Sequence, residues 1–255
     1  MKVALAVGGL LLLSACGAET TPAASGPSPA TVSGTVNVFA AASLQESFTT
    51  VKKQFEAAHP GVTVTPNFGA SSALAQSIIQ GSPADVFASA SQTNMDQVVQ
   101  AGGTSTSKAF AKNVMEIAVP PANPAGITSL ADLATAGVKV ALCQAQVPCG
   151  TVAGKVLANA KLTVTPVSQE ADVKSVLTKV QLGEVDAGVV YVTDVKAAGD
   201  KVKGITIPAD VNASTTYPIA TLAKAPNPAA AAAFTAYVLS PEGQSVLAAG
   251  GFAAP

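Results

Sequence analysis

Apolar and polar positions along this chain switch repeatedly between a period of two and a period near 3.6, and the switches mark out strand–helix units. Val36–Ala40 is a short apolar run of strand type, and Leu44–Ala58 carries Leu44, Phe48, Val51 and Phe55 at helical spacing. Pro60-Gly61 turns the chain into a strand over Val62–Phe68, and Gly69-Ala70-Ser71-Ser72 leads to a helix over Ala73–Gln80. Gly81-Ser82-Pro83 precedes a strand over Ala84–Ala88, and a helix follows from Thr93 to Ala101. Asn113–Pro121 reads as a further strand ending in a proline pair. A second set of units follows: helix Ser129–Thr135, strand Val138–Cys143, helix Gly150–Ala160, strand Leu162–Val167, helix Ala171–Leu182 and strand Val185–Tyr191. A short helix Val192–Ala198, strand Ile205–Ile207 and a return strand Tyr217–Lys224 come next. Asn227-Pro228 and Ser240-Pro241 each place proline directly after a capping residue, so two helices close the chain.

Units of this kind build an α/β fold with mixed, mostly parallel sheets and helices on both faces. The order of elements predicts a discontinuous partition. Residues 35–116 and 222–255 form one lobe, residues 117–221 the other, and two crossing strands bridge a cleft. In such sheets ligands bind beyond the carboxyl ends of the strands, where Ala40–Ser43, Gly69–Ser72 and Ser89–Ser91 fall.

The amino terminus reads as a targeting segment. Lys2 precedes an apolar run, Val3–Leu13, that is too short to span a bilayer. Leu13-Ser14-Ala15-Cys16 resembles a bacterial lipobox, which implies a signal peptide over 1–15 and acylation of Cys16. Residues 16–34, rich in Pro, Ser, Thr, Gly and Ala, read as a flexible tether. The expected location is therefore the outer face of the cytoplasmic membrane, held there by the lipid on Cys16.

A net charge of −1 gives no footprint for nucleic acid. All 14 basic residues are lysine and there is no Trp. Without arginine there is no bidentate clamp for carboxylates, and without tryptophan sugars and quaternary amines lose their best stacking surface. Amino-acid, sugar and choline-like ligands become poor candidates. Cys143 and Cys149 are expected to form a disulfide in an oxidising compartment. With two thiols and a single histidine, His59, no zinc site is expected in the folded part, and no cofactor is.

Ser43-x-x-Glu46 has the form of a capping box. The same junction, a strand running through three alanines into a helix opening at Ser43, also makes an anion cradle. Five motifs carry a resemblance. VFAAASL (38–44), ASSALAQSI (70–78), GSPADVFASAS (81–91), VPCG (147–150) and DAGVVYVTD (186–194) resemble the molybdate-binding proteins of ABC importers, in family order.

That resemblance implies a two-lobed, hinge-closing fold of the type II periplasmic-binding-protein kind. It implies a monomeric receptor that delivers molybdate or tungstate to a permease. Position by position, it implies that Ser43 and Ser71 offer hydroxyl and backbone N–H groups, that Cys149 and Val173 offer backbone N–H groups, and that the Tyr191 phenol reaches the ligand. Cys149 departs from the family's usual alanine, and the Cys143–Cys149 pair is not a general family feature. Four of the five positions fall at predicted helix starts, which favour a dianion. Every proposed group donates, so an anion carrying a proton leaves that proton unpaired. Receptors for sulfate or thiosulfate are the alternative within the binding class. A secreted serine hydrolase using Ser43 or Ser71 is the alternative outside it, but His59 is remote in sequence and no G-x-S-x-G surrounds either serine. The chain is expected not to be an enzyme. Asp85, Asp186 and Asp194 are expected to act as caps, hinge contacts or surface contacts.

Overall fold

Strand β1 (Gly34–Ala41) lies at the centre of the first half of the sheet, parallel to β2 (Val62–Gly69) on one side and β3 (Val86–Ala88) on the other. The computed structural model describes residues 1–4 and 32–255; Cys16 and nearly all of the expected signal segment and tether lie outside the described residues. No helix among the described residues is long and apolar enough to cross a membrane.

Alternation along β1 sorts its side chains into two layers. Val36, Val38 and Ala40 pack with Phe48, Phe55 and Phe234, while Phe39 packs on the opposite face with Leu74, Phe87 and Met95. Helix α1 (Gln45–Ala58) supplies Phe48, Val51 and Phe55 to the first layer, beside α7 (Pro228–Leu239) and α8 (Pro241–Ala249). Helices α2 (Ser71–Ile79) and α3 (Gln92–Gln100) cover the second. Phe55 and Phe234 meet edge to face at 5.3 Å between ring centroids, a geometry favoured for aromatic pairs. Asp85 ties this half together: its buried carboxylate accepts from Asn37 N at 2.7 Å and from Asn227 N at 2.6 Å. It thus holds β1 against the start of α7 and is an interior staple, not a surface contact.

The second half surrounds β5 (Val140–Cys143), parallel to β6 (Ser168–Glu170) and β7 (Ala187–Tyr191). Helices α4 (Pro148–Asn159), α5 (Val173–Gln181) and α6 (Val192–Ala198) contribute to this part of the chain. A separate core of Ile117, Val140, Val156, Val176, Val189 and their neighbours fills it. Strand β4 (Lys108–Val119) joins the halves, pairing with β9 (Ser214–Thr221) through Val114 and with β7 and β8 (Lys203–Thr206) from Met115 onward. The full order is β2-β1-β3-β9-β4-β7-β5-β6, with β8 beside β4. Every antiparallel pairing involves β4 or β9, and every pairing without them is parallel.

Three local expectations are corrected. Ser43-x-x-Glu46 makes no capping box: Ala42–Leu44 is a 3-10 turn, Leu44 is the N-cap of α1, and no side chain caps it. The Ser43 hydroxyl bonds Tyr217 instead, and the Glu46 carboxylate bonds Lys174. The expected strand Leu162–Val167 is not one. Pro166 lacks an N–H for the ladder, and the first hydrogen bond to β5 is Val167 N to Val140 O, with paired residues from Ser168 onward. Ser129–Thr135 is reduced to a 3-10 turn at Ala131–Ala134, because Asp132 gathers the N–H groups of Thr128 and Ser129 into a turn.

Candidate ligand-binding site

Six chain segments meet at one cavity between the two cores. Its walls are the end of β1 and the 3-10 turn (Ala41, Ala42, Ser43), the β2–α2 junction (Gly69, Ala70, Ser71), Ala90, the start of α4 (Val147, Pro148, Cys149), the start of α5 (Asp172, Val173) and Tyr191. Ser43, Ser71, Cys149, Val173 and Tyr191 therefore all line the same space, and each is at most 4% exposed. The cavity volume is about 20 Å³, room for one compact group and far below the ~300 Å³ of a site for a drug-sized organic molecule.

The sequence produces these junctions for identifiable reasons. Ser71 is the first residue of α2 and Val173 the first of α5, while Cys149 follows Pro148 in the first turn of α4. N–H groups in a first helical turn have no intrahelical acceptor. Proline at the start of α4 removes one of those donors and presets its φ, leaving Cys149 N–H as the first donor. In α5 the Asp172 carboxylate accepts from Ser175 N at 3.0 Å. This cap serves the third position and leaves the Val173 and Lys174 N–H groups free of it. Asp172, the one acidic residue lining the cavity, is thereby engaged with its own helix. Small residues at Ala41, Ala42, Gly69 and Ala70 keep the backbone accessible.

The disulfide Cys143–Cys149 is formed, closing the loop that leads into α4. The loop packs so closely on the helix that a Cβ at Gly150 would lie 1.9 Å from Gln144 O. Thr151 Oγ1 donates to Ala145 O at 3.0 Å, adding a second fastening.

The polar partners differ from donor to donor. Ser71 Oγ accepts from Ala90 N at 2.9 Å, so its own proton is available to the cavity. Ser43 Oγ lies 2.8 Å from Tyr217 Oη. Tyr191 Oη is buried with no hydrogen-bond partner among the described residues. Burial pushes the Tyr191 phenol well above its ordinary pKa, with Tyr217 and the Asp194 charge adding to the effect, so it remains a donor. Tyr191 N donates to Asp194 Oδ2 at 3.1 Å.

Lysine does not line the cavity, but one stands behind it. Lys174 Nζ reaches Glu46 Oε2 at 2.8 Å on α1 and Asp194 Oδ1 at 3.0 Å on α6. Burial raises the Asp194 pKa against the opposing pull of Lys174. Asp194 is fully buried, which corrects the expectation of a surface contact while leaving its capping of Tyr191 N in place. Asp186 accepts from Lys139 N at 2.7 Å, an exposed contact that ties the approach to β7 to the approach to β5. Sequence reasoning missed Tyr217 and Lys174, and also Asn113, whose Nδ2 donates to Thr193 Oγ1 at 2.9 Å and to Tyr217 Oη at 3.4 Å. The available signal was a lone Asn opening an apolar strand, NVMEIAV, and one of only three tyrosines.

Two sheet halves joined by crossing strands, with donors converging on one small space and no nucleophile–base pair among them, define a solute-binding protein. The chain belongs to the bacterial extracellular solute-binding proteins, whose family profile matches residues 36–253. It is 41% identical over 255 residues to the molybdate-binding protein ModA of Mycobacterium tuberculosis (strain H37Rv), covering 99% of this chain and 95% of that protein. It is 31% identical over 230 residues to ModA of Escherichia coli (strain K12), covering 86% and 89% respectively. The fold also matches the solved periplasmic molybdate-binding protein of Azotobacter vinelandii, with a TM-score of 0.77 at 19% identity over 86% of this chain and 99% of that one. These relatives bind solutes, and the chain is a binding protein, not an enzyme.

Proposed function

We propose that this protein is the extracytoplasmic receptor of an ABC importer, capturing molybdate, or its size-equivalent tungstate, and delivering it to a membrane permease. The observation that carries the reading is the convergence of six chain segments on one small cavity lined by buried residues, which offers two serine hydroxyls, an unpartnered phenol and first-turn N–H groups. The molybdate-binding relatives support the choice of ligand.

In this reading Ser43, Ser71, Cys149, Val173 and Tyr191 are the ligand contacts. The starts of α1, α2, α4 and α5 each supply roughly half a positive charge, on the order of +2 together. A dianion is thus balanced without a lysine in contact with it. Such a site holds its ligand firmly yet forms no ion pair that must be broken on release to the permease. Residues 35–116 with 222–255 act as one lobe and 117–221 as the other, closing about β4 and β9. Acylation of Cys16 would hold the monomeric receptor beside its permease.

Titration calorimetry with molybdate, tungstate, sulfate and hydrogenphosphate tests the proposal. One-to-one binding of molybdate and tungstate, with sulfate weaker and no heat from hydrogenphosphate, is expected. Equal weak responses to all four anions would remove the reading, and preference for sulfate would reassign the receptor.

A further inference from the structure

One contact between the two halves avoids the crossing strands β4 and β9. We propose that this contact, the ion pair between Glu46 on α1 and Lys174 on α5, is a clasp beside the cavity that sets how long a bound oxyanion stays. The inference rests on the oxyanion-receptor reading of that cavity.

Among the described residues, Lys174–Glu46 is the only ion pair that joins residues 35–116 and 222–255 to residues 117–221. The side-chain hydrogen bonds that otherwise join these parts all involve β4 or β9. Lys174 Nζ lies 2.9 Å from Glu46 Oε1 and 2.8 Å from Glu46 Oε2, so it grips both carboxylate oxygens. The pair stands next to two of the proposed ligand contacts. Glu46 is three residues beyond Ser43, and Lys174 directly follows Val173. Neither Glu46 nor Lys174 lines the cavity itself.

The two ends of the clasp are anchored unequally. Lys174 is also held at 3.0 Å by Asp194 Oδ1, an atom that makes no hydrogen bond among the described residues. Asp194 belongs to the same half as Lys174 and its side chain is 0% exposed, so its buried charge keeps the ammonium in place with or without Glu46. Its other oxygen accepts from Tyr191 N, which ties this end of the clasp to a third ligand contact. The Glu46 side chain is 49% exposed and regains water when the halves part. Opening therefore breaks one half-exposed ion pair and strands no buried charge. A contact present only with the halves together favours that arrangement by its own free energy. The ion pair that release must break thus lies between the halves and not on the ligand.

A negative charge near the cavity would by itself repel a dianion, so the clasp and simple repulsion predict opposite effects of removing it. Glu46→Gln keeps the shape and removes the charge. It is expected to release radiolabelled molybdate roughly three- to fivefold faster into an unlabelled chase, the range a half-exposed ion pair supports. The gap from the wild type should shrink in 1 M NaCl, where charges are screened beyond about 3 Å. Lys174→Gln combined with Asp194→Asn removes the other end without stranding a charge. Adding Glu46→Gln to that pair should speed release no further. Slower release by Glu46→Gln would assign Glu46 to repulsion and overturn the clasp. An unchanged rate, or a difference that salt does not alter, would overturn it too, while leaving molybdate binding by the wild type intact. A wild type that binds no oxyanion would instead overturn the receptor reading and the clasp with it.

Discussion

Ser43, Ser71 and Tyr191 are the three hydroxyl-bearing side chains that line the cavity, and their surroundings assign them different costs. Each serine hydroxyl donates to the anion in the proposed complex, and a hydrogen bond to a charged group contributes about 1.5–3 kcal/mol. Ser43→Ala and Ser71→Ala should therefore each weaken molybdate binding by roughly tenfold or more. Tyr191 is a sharper case. Its hydroxyl is buried without a partner among the described residues, and leaving a buried polar group unpaired costs about 1–3 kcal/mol. Tyr191→Phe should accordingly lower molybdate affinity while leaving the melting temperature of the ligand-free protein unchanged or raised. A fall in ligand-free stability equal to the fall in affinity would mean that the phenol serves the fold and not the ligand.

Helix α5 both lines the cavity and ties its own start to α1 and α6. Its first residue, Val173, lines the cavity, and its second, Lys174, bridges Glu46 on α1 and Asp194 on α6. Burial alone would lower the Lys174 pKa, but Asp194 and Glu46 outweigh it and hold the ammonium above the ordinary value of 10.5. The sign follows from linkage: a cation whose folded pKa is raised contributes its full stabilisation below its unfolded pKa. That contribution disappears as pH rises through the folded value. Lys174→Met should thus be markedly less stable than the wild type at neutral pH, since it strands the buried Asp194. The gap, followed by chemical denaturation, should close above pH 10.5. A gap that stays constant through that range would assign the loss to packing of the lysine stem. At the start of α4, the Cys143–Cys149 loop presents the Cys149 donor. Replacing both cysteines by serine should cost about 2 kcal/mol of stability by loop entropy and weaken binding as well. Unchanged affinity would show that helix packing alone positions that turn.

At the scale of the whole molecule, what could be read from the sequence depended on whether the cause was local. Proline after Asn227 and Ser240 announces α7 and α8 from adjacent residues, and both helices begin at those prolines. The apolar spacing of α1 similarly exposes its buried face. The layers on β1 follow from simple alternation, with Val36 and Val38 on one side and Phe39 on the other. The capping-box reading of Ser43 failed because a residue 174 positions away, Tyr217, competes for the hydroxyl, and no local pattern announces such a partner. Lys174 escaped notice for the same reason: its partner Glu46 is 128 positions distant. The strand assigned to Leu162–Val167 failed where a proline outweighed β-branched residues. Motif order named the five cavity residues; only the folded chain reveals what orients them.

In the proposed complex, uncharged donors at helix starts, with no lysine in contact, hold a tetrahedral dianion between the two halves. Anomalous diffraction from crystals grown with molybdate locates that dianion, because the heavy atom marks its own position. A single strong peak is expected in the cavity, with oxygens in hydrogen-bond reach of Ser43 Oγ, Ser71 Oγ, Cys149 N, Val173 N and Tyr191 Oη. A peak at a lysine ammonium, or on the surface with that cavity empty, would contradict it.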